Sequence, residues 1–156
     1  MAIHVRSANR GDLPVLKRMI RENIDYLNAI DEPEEVSPST IDRVEGLAFE
    51  SDPLCTILVA EFEGQLAGYV LFFVGVDMDE VAPAYHINDL FVREVFHRKG
   101  VGRALMDTVR EMAGSRGAAR IFWTVWRKNP GAIAFYRSLG AESWNEELPM
   151  VWSTKA

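Results

Sequence analysis

Val92-Arg93-Glu94-Val95-Phe96-His97-Arg98-Lys99-Gly100-Val101-Gly102-Arg103-Ala104-Leu105 runs from the end of a β-branched strand, through a basic glycine loop, into an amphipathic helix. The first amides of a helix lack intrahelical partners and carry roughly half a positive charge, so an anion placed there completes the helix. Gly100 and Gly102 let a ligand reach the backbone without meeting a Cβ. A helix with a purely structural role favours Asp or Glu in its first turn, whereas this one begins with Arg98, Lys99 and Arg103. The unit predicts a phosphate site at this helix start, beside Arg98, Lys99 and Arg103. It is neither a P-loop nor a dinucleotide fingerprint, because no Lys-Ser/Thr follows the glycines and no third glycine completes Gly-x-Gly-x-x-Gly.

The charge of the rest of the chain contrasts with this loop. Across 156 residues the formal net charge is −6, which argues against a nucleic-acid partner, since backbone binding needs a broad basic face. Asp31, Glu32, Glu34, Glu35, Asp42, Glu45, Glu50 and Asp52 face Arg43 alone between Asp31 and Asp52, and Asp77, Asp79 and Glu80 form a second acidic cluster. An anion site beside acidic stretches suits a phosphate-bearing cofactor together with a cationic second substrate. The length fits one domain spanning 1–156. A single cysteine, Cys55, is expected to be a small buried residue in a reducing compartment, and the start MAIHVRSANRGD lacks the apolar core of a signal peptide, so a cytoplasmic protein with no membrane partner is expected.

Periodicity supplies the elements. Ala2 to Ala8 alternates as a strand; Asp12 is placed to cap a helix running to about Leu27; Ser37 or Ser39 caps a second helix through Ile41, Val44 and Phe49. Thr56–Phe62, Glu63-Gly64 and Gln65–Val76 read as a β-hairpin, and Tyr85–Val92 as a fourth strand. Gly100–Ser115 is a helix, and the nearly continuous apolar run Arg120–Trp126 reads as a central strand covered on both sides. Asn129-Pro130 opens a short helix closed by Gly140, and Leu148–Ser153 is a last strand. The order β-α-α-β-β-β-α-β-α-β is a mixed α/β sheet with helices on both faces.

With this order and loop, the chain resembles the GNAT superfamily of acetyl-CoA-dependent N-acetyltransferases over nearly its whole length. The family's Arg/Gln-x-x-Gly-x-Gly/Ala signature corresponds to His97-Arg98-Lys99-Gly100-Val101-Gly102, and Asn-x-x-Ala-x-x-Phe-Tyr-x-x-x-Gly-Ala to Asn129, Ala132, Phe135, Tyr136, Gly140 and Ala141. Asn88-Asp89-Leu90-Phe91-Val92 and the acidic loop look most like the diamine (spermidine/spermine) branch. The resemblance implies a mostly antiparallel sheet, pyrophosphate of acetyl-CoA on the loop amides, and pantetheine along Leu90, Phe91 and Val92. It also implies Asn129 against the pantetheine arm, Tyr136 beside the sulfur, and a homodimer. Where the diamine branch carries a Glu just before Asp89, this chain has Asn88.

Acetyl transfer needs a neutral amine, a stabilised oxyanion and a proton for the departing thiolate. An alkylamine with a pKa near about 10.4 is mostly protonated at neutral pH, so a base is required. By strict period-2 alternation His86 shares a face with Asn88 and is the first candidate, with Asp89, pointing the other way, as the second. A backbone amide near Phe91 or Val92 would meet the oxyanion, Tyr136 would be the acid, and no metal is required. The acceptor is expected to meet Tyr26, Glu32, Glu34, Glu35 and Asn88, with Asp77 and Asp79 as further contacts. A diamine, a polyamine or a lysine-like molecule has that shape. The alternatives are a protein N-terminus, a protein lysine or an aminoglycoside as acceptor, or a coenzyme A-binding sensor without turnover.

Overall fold

The computed structural model describes residues 2–31 and 33–155. It divides into two compact units, residues 1–124 and 125–156, taken separately below. The first unit holds β1 (Ile3–Ser7), α1 (Leu13–Asn28), α2 (Pro38–Asp42), α3 (Val44–Ala48), β2 (Thr56–Phe62), β3 (Gln65–Asp77), β4 (Ala82–Val92), α4 (Val101–Ser115) and β5 (Ile121–Phe122). The second holds α5 (Pro130–Ser138).

The sheet order is β1-β2-β3-β4-β5. The first four strands form an antiparallel meander, and β5 joins parallel to β4 at Tyr85↔Ile121 and His86↔Phe122. The β2–β3 hairpin is set by its turn: Glu63 (φ 51°) and Gly64 (φ 77°) are both left-handed, which matches the twist of the strands they join. Leu13, Leu16 and Met19 of α1 pack with Val44 of α3 onto Ile57, Val59 and Tyr69 on one face of the sheet. Leu16 and Met19 are completely buried, each contributing about 1.5–3 kcal/mol of apolar transfer. Alternation turns Leu58, Val70 and Phe72 to the opposite face, where α4 lies against β1 to β4 with Val101, Leu105 and Val109 buried. Helices therefore cover both faces.

Several local expectations need correction. Asp12 does not cap α1 through its side chain; its carboxylate accepts from Arg6 Nη1 (2.7 Å), Arg6 Nη2 (2.9 Å) and the amide of Asn9 (2.8 Å), closing a capping box on a 3-10 turn, Arg10–Asp12. The second helix is two short ones, α2 and α3, meeting at Arg43, with Ser37 the cap of the first through the amide of Thr40. The apolar run after Arg120 forms only the two-residue β5, at the sheet edge and not its centre, and Thr124 to Trp126 are exposed. An unbroken apolar run states hydrophobicity without stating which neighbours will cover it. No strand forms over Leu148–Ser153 among the described residues; Val151 and Trp152 are each 96% exposed. Cys55 is half-buried, its thiol pushed up by burial and directed to Leu47 O at 3.7 Å. Among the described residues, no helix is long and apolar enough to cross a membrane.

Candidate active site

The N-terminus of α4 has the features its sequence announces. Gly100 is the N-cap, in the left-handed region at φ 86°, with no side-chain cap and no acid in the first turn. A Cβ at Gly100 would meet only Ile3 Cδ1 at 3.6 Å, so backbone conformation and not crowding demands the glycine. Arg98 is also left-handed, at φ 61°, a strained setting for a non-glycine residue that recurs at ligand-binding loops. The first intrahelical bond runs from Ala104 N to Gly100 O, so the amides of Val101 and Gly102 precede the helical ladder. Lys99 is exposed but lies over two rings, its Nζ 5.1 Å from the Phe62 ring centroid and 5.6 Å from that of Phe96. That contact keeps its charge beside the loop. His97 turns back, its Nε2 within 2.7 Å of Val92 O. That contact holds the loop against the end of β4 and occupies one of the carbonyls assigned to pantetheine.

Beyond His86 the edge of β4 away from β3 carries no strand among the described residues, because β5 pairs only with Tyr85 and His86. The stretch Leu90–Val92 therefore leads, as an open strand edge, into the loop at the start of α4. An extended amide-bearing chain ending in a pyrophosphate has what it needs here: backbone donors and acceptors along the strand, then helix-terminal amides with Arg98 and Arg103 nearby. Acetyl-CoA fits these residues.

The ladder between β3 and β4 slips at one point. Leu71 lies opposite Asp89 and Phe72 opposite Ile87, which leaves Asn88 as an extra, exposed residue. Since Leu71 and Phe73 are two apart on β3, and Phe73 lies opposite His86, the slip puts Asp89 on the same face as His86. Strict alternation, which sent Asp89 the other way and grouped His86 with Asn88, does not survive it.

On that face Asp89 Oδ2 accepts from Tyr69 Oη at 2.5 Å and Oδ1 from Asn23 Nδ2 at 2.8 Å. Burial pushes the Asp89 carboxyl up, and the bonds from Tyr69, Asn23 and the Leu90 amide offset only part of that. The Tyr69 phenol is held well above its ordinary value, first by burial and then by the charge of Asp89, so it stays a donor. Asp89 lines a cavity of about 220 Å³, whose walls are Ile20 and Ile24 of α1, Ile41, Val44 and Leu47 from α2 and α3, and Ile57, Tyr69 and Leu71 of the sheet. Val36, Thr40 and Arg43 complete it.

His86 is stacked between Phe73 (centroids 4.8 Å, 8°) and Phe122 (5.4 Å, 24°). The stack ties β3, β4 and β5 together at the point where β5 ends.

The acidic residues expected around the acceptor do not line this cavity. Tyr26, Glu34 and Glu35 are exposed and do not line the cavity, nor does Asn88. The loop carrying Glu34 is pinned to α1 by Asn28, which bonds both the Glu34 amide (3.2 Å) and its carbonyl (3.0 Å). Glu32 lies outside the described residues. Asp77 and Asp79 are engaged by Arg120, which bonds both oxygens of Asp77 at 2.7 Å and Asp79 Oδ2 at 3.5 Å. In the second unit, Asn129 caps α5 through the Ala132 amide (3.1 Å), and the ring of Tyr136 packs beside Phe135 with centroids 5.3 Å apart.

Two residues of the site escaped the sequence reading, Tyr69 and Asn23. Asn23 had a legible signal: it follows Met19 by four residues on the buried stripe of α1, and a polar side chain in that position requires a buried partner. Tyr69 sits inside an apolar strand and gave none.

Comparison with known proteins agrees with the geometry. The sequence profile of the acetyltransferase (GNAT) family matches residues 20–141. The chain belongs to the GNAT family, and it is an N-acetyltransferase of that family, whose members use acetyl-CoA. It is 26% identical over 153 residues to a thialysine N-epsilon-acetyltransferase of Sus scrofa, covering 93% of this chain and 87% of that protein. It is 37% identical over 81 residues to the L-ornithine N5-acetyltransferase NATA1 of Arabidopsis thaliana, covering 52% of this chain and 36% of that longer protein. Among solved structures, a probable acetyltransferase superimposes with a TM-score of 0.82 at 17% identity, covering 98% of this chain and 99% of that one. The aminoglycoside acetyltransferase meta-AAC0020 from an uncultured soil sample does so with a TM-score of 0.75 at 19% identity, covering 98% and 97%. These two likenesses concern the fold.

Proposed function

We propose that this enzyme transfers the acetyl group of acetyl-CoA directly to a primary amine at the end of an aliphatic chain in a small acceptor, and that Asp89 is the base that prepares the amine. The observation that carries the reading is the placement of Asp89: a half-buried carboxylate at the wall of a small cavity, one residue before the open strand edge Leu90–Val92. The names of two relatives, acting on the terminal amines of ornithine and thialysine, support an acceptor of this shape.

When bound, acetyl-CoA supplies a thioester carbonyl; the chain's residues do the rest. The amides around Gly100 and Gly102 hold the pyrophosphate end, and the edge of β4 aligns the arm. Asp89 accepts a proton from the incoming ammonium at one of its carboxylate oxygens. Its raised pKa makes it a better base than an ordinary Asp while leaving it ionised above its own titration. The family pattern assigns the proton for the departing thiolate to Tyr136. Asn88 needs no acid–base role, since its contribution is the extra residue that turns Asp89 to the acceptor side.

The test is coenzyme A release with ornithine, lysine, thialysine, putrescine, spermidine and an aminoglycoside, with the acetylated nitrogen assigned by NMR. Transfer to a terminal aliphatic amine, reduced about 10²-fold or more in Asp89→Asn, is the expected result. Transfer to none of these amines, or an Asp89→Asn variant as active as the parent, overturns the proposal.

A further inference from the structure

We propose that the outer edge of β3 over residues 73–77 is where a second copy of this chain docks, its own residues 73–77 pairing antiparallel with them about a twofold axis at Gly75. The proposal does not depend on the acceptor reading above, and it gives a joining surface to the homodimer that the family resemblance implied.

β3 is longer than the strand beside it. Its pairing with β2 ends at Phe72, opposite Thr56, while its pairing with β4 continues to Asp77. The chain ahead of β2 does not run on along β3, because the amides of Leu54 and Cys55 both donate to Leu47 O (2.9 and 3.4 Å) and turn it toward α3. From Phe73 onward this edge therefore faces no strand among the described residues. Free edges are ordinarily guarded by lysine, proline or another charge that discourages pairing. Here residues 65–76 hold no charged residue and no proline, and Val74 and Val76 are 45% and 67% exposed. The first charge after them, on Asp77, is taken up by Arg120.

The notch in this edge matches its own tip. It runs from the start of β2 to the end of β3, and a twin inserted there supplies the same residues in reverse. With the axis at Gly75, Val74 of each copy lies opposite the partner's Val76, and Phe73 opposite the partner's Asp77, so the inserted tip ends where β2 begins. Directly opposed side chains share a face, and alternation from Phe72 gathers the four valines on the side of the sheet that α4 covers. Gly75 stands where the two backbones meet. A Cβ there would be in ordinary contact with His86 Nε2, at 3.5 Å, so packing within the chain does not demand the glycine. A glycine inside a strand often marks the close approach of another backbone. The acidic tips point in opposite directions; even the two Asp77 positions are about 14 Å apart, beyond the roughly 8 Å over which exposed charges act at physiological salt. An unrelated strand would find the same backbone groups without the matching length or valine pattern.

Sedimentation velocity over a concentration series gives the first test, with the parent expected to be a dimer. Val74→Lys/Val76→Lys sets like charges opposite one another and should raise the dissociation constant about tenfold or more. Hydrogen exchange on the parent needs no variant: the outward amides within residues 73–77 should be protected in the dimer and lose that protection on dilution. A parent that sediments as a monomer overturns the proposal. So does a dimer that the double lysine variant, folded by circular dichroism, leaves intact, or one in which these amides exchange freely. Protection that survives full dissociation means that the chain covers its own edge, and overturns it too. Coenzyme A release by the parent is read separately, so a failure of the acetyltransferase reading leaves these outcomes unchanged.

Discussion

Replacing Tyr69 by Phe removes one oxygen from the core and one of the two side-chain donors that steady the Asp89 carboxylate. The lost bond is 2.5 Å long and ends on a carboxylate that burial already makes reluctant to ionise. A hydrogen bond to a charged group is worth about 1.5–3 kcal/mol, and a pH unit corresponds to about 1.36 kcal/mol, so the Asp89 titration should move upward by about one to two pH units. The direction is fixed, because the donor favours the ionised form and its loss favours the neutral one. An acid whose folded pKa lies above its unfolded value makes the protein less stable as pH rises between those two values. Tyr69→Phe should extend that window upward, so its destabilisation is largest where Asp89 is ionised and shrinks in acid. Carbon-13 NMR of the Asp89 carboxyl reads the titration directly, and the acid limb of kcat/KM reads it through activity. If the variant is folded and neither moves, Asp89 is not held by Tyr69 in solution and is not the base.

Three further outcomes follow from the same geometry. His86→Phe should keep kcat within a few-fold of the parent and preserve the stack between Phe73 and Phe122, whereas a His86 that served as base would cost about 10²-fold or more; steady-state kinetics separates the two. Asp12→Asn should cost about 2 kcal/mol in urea unfolding at neutral pH, since Asp12 loses charge-assisted bonds to Arg6. Arg6 holds the Asp12 carboxyl below the usual aspartate range, so this contribution is present above the unfolded value and disappears as pH falls through the folded one; the parent and variant curves should converge in strong acid. Tyr85→Phe should be neutral or raise stability by about 1 kcal/mol, because the buried Tyr85 hydroxyl has no partner among the described residues; calorimetric melting that shows a clear loss would reveal a partner in solution.

The parts of this protein that were legible in its sequence are those whose cause is local. Glu63-Gly64 announces a tight turn because both positions must accept positive φ, and the hairpin it closes has the expected boundaries up to one residue. The loop at Gly100 is equally direct, since a basic glycine segment ahead of an apolar-periodic helix has few other uses. What escaped depends on partners distant in the chain. Asp12 has the right type and place for a helix cap, but Arg6 on the neighbouring strand and the Asn9 amide hold it instead. Alternation along β4 gave the wrong face for Asp89 because a bulge carries no glycine or proline to mark it here and shows itself only in the pairing with β3. The acidic loop suggested an acceptor site by charge alone, while the cavity beside Asp89 is apolar and takes its acid from β4, a placement no charge count along the chain announces. Charge counts along a chain report where a cation will be drawn, not where it will be enclosed.

The slip at Asn88 also bears on which changes of sequence this enzyme can survive. A residue whose role is to be present, and not to offer a particular side chain, tolerates exchange but not removal. Substitutions at Asn88 should therefore be mild, while deleting it returns β4 to an even pleat and reverses the facing of either Ile87 and the residues before it or Asp89 and those after it. One missing codon would then exchange the carboxylate that lines the cavity beneath α1 for an aliphatic group, with every reactive side chain still encoded. At such a position it is the number of residues, and not their type, that carries the design.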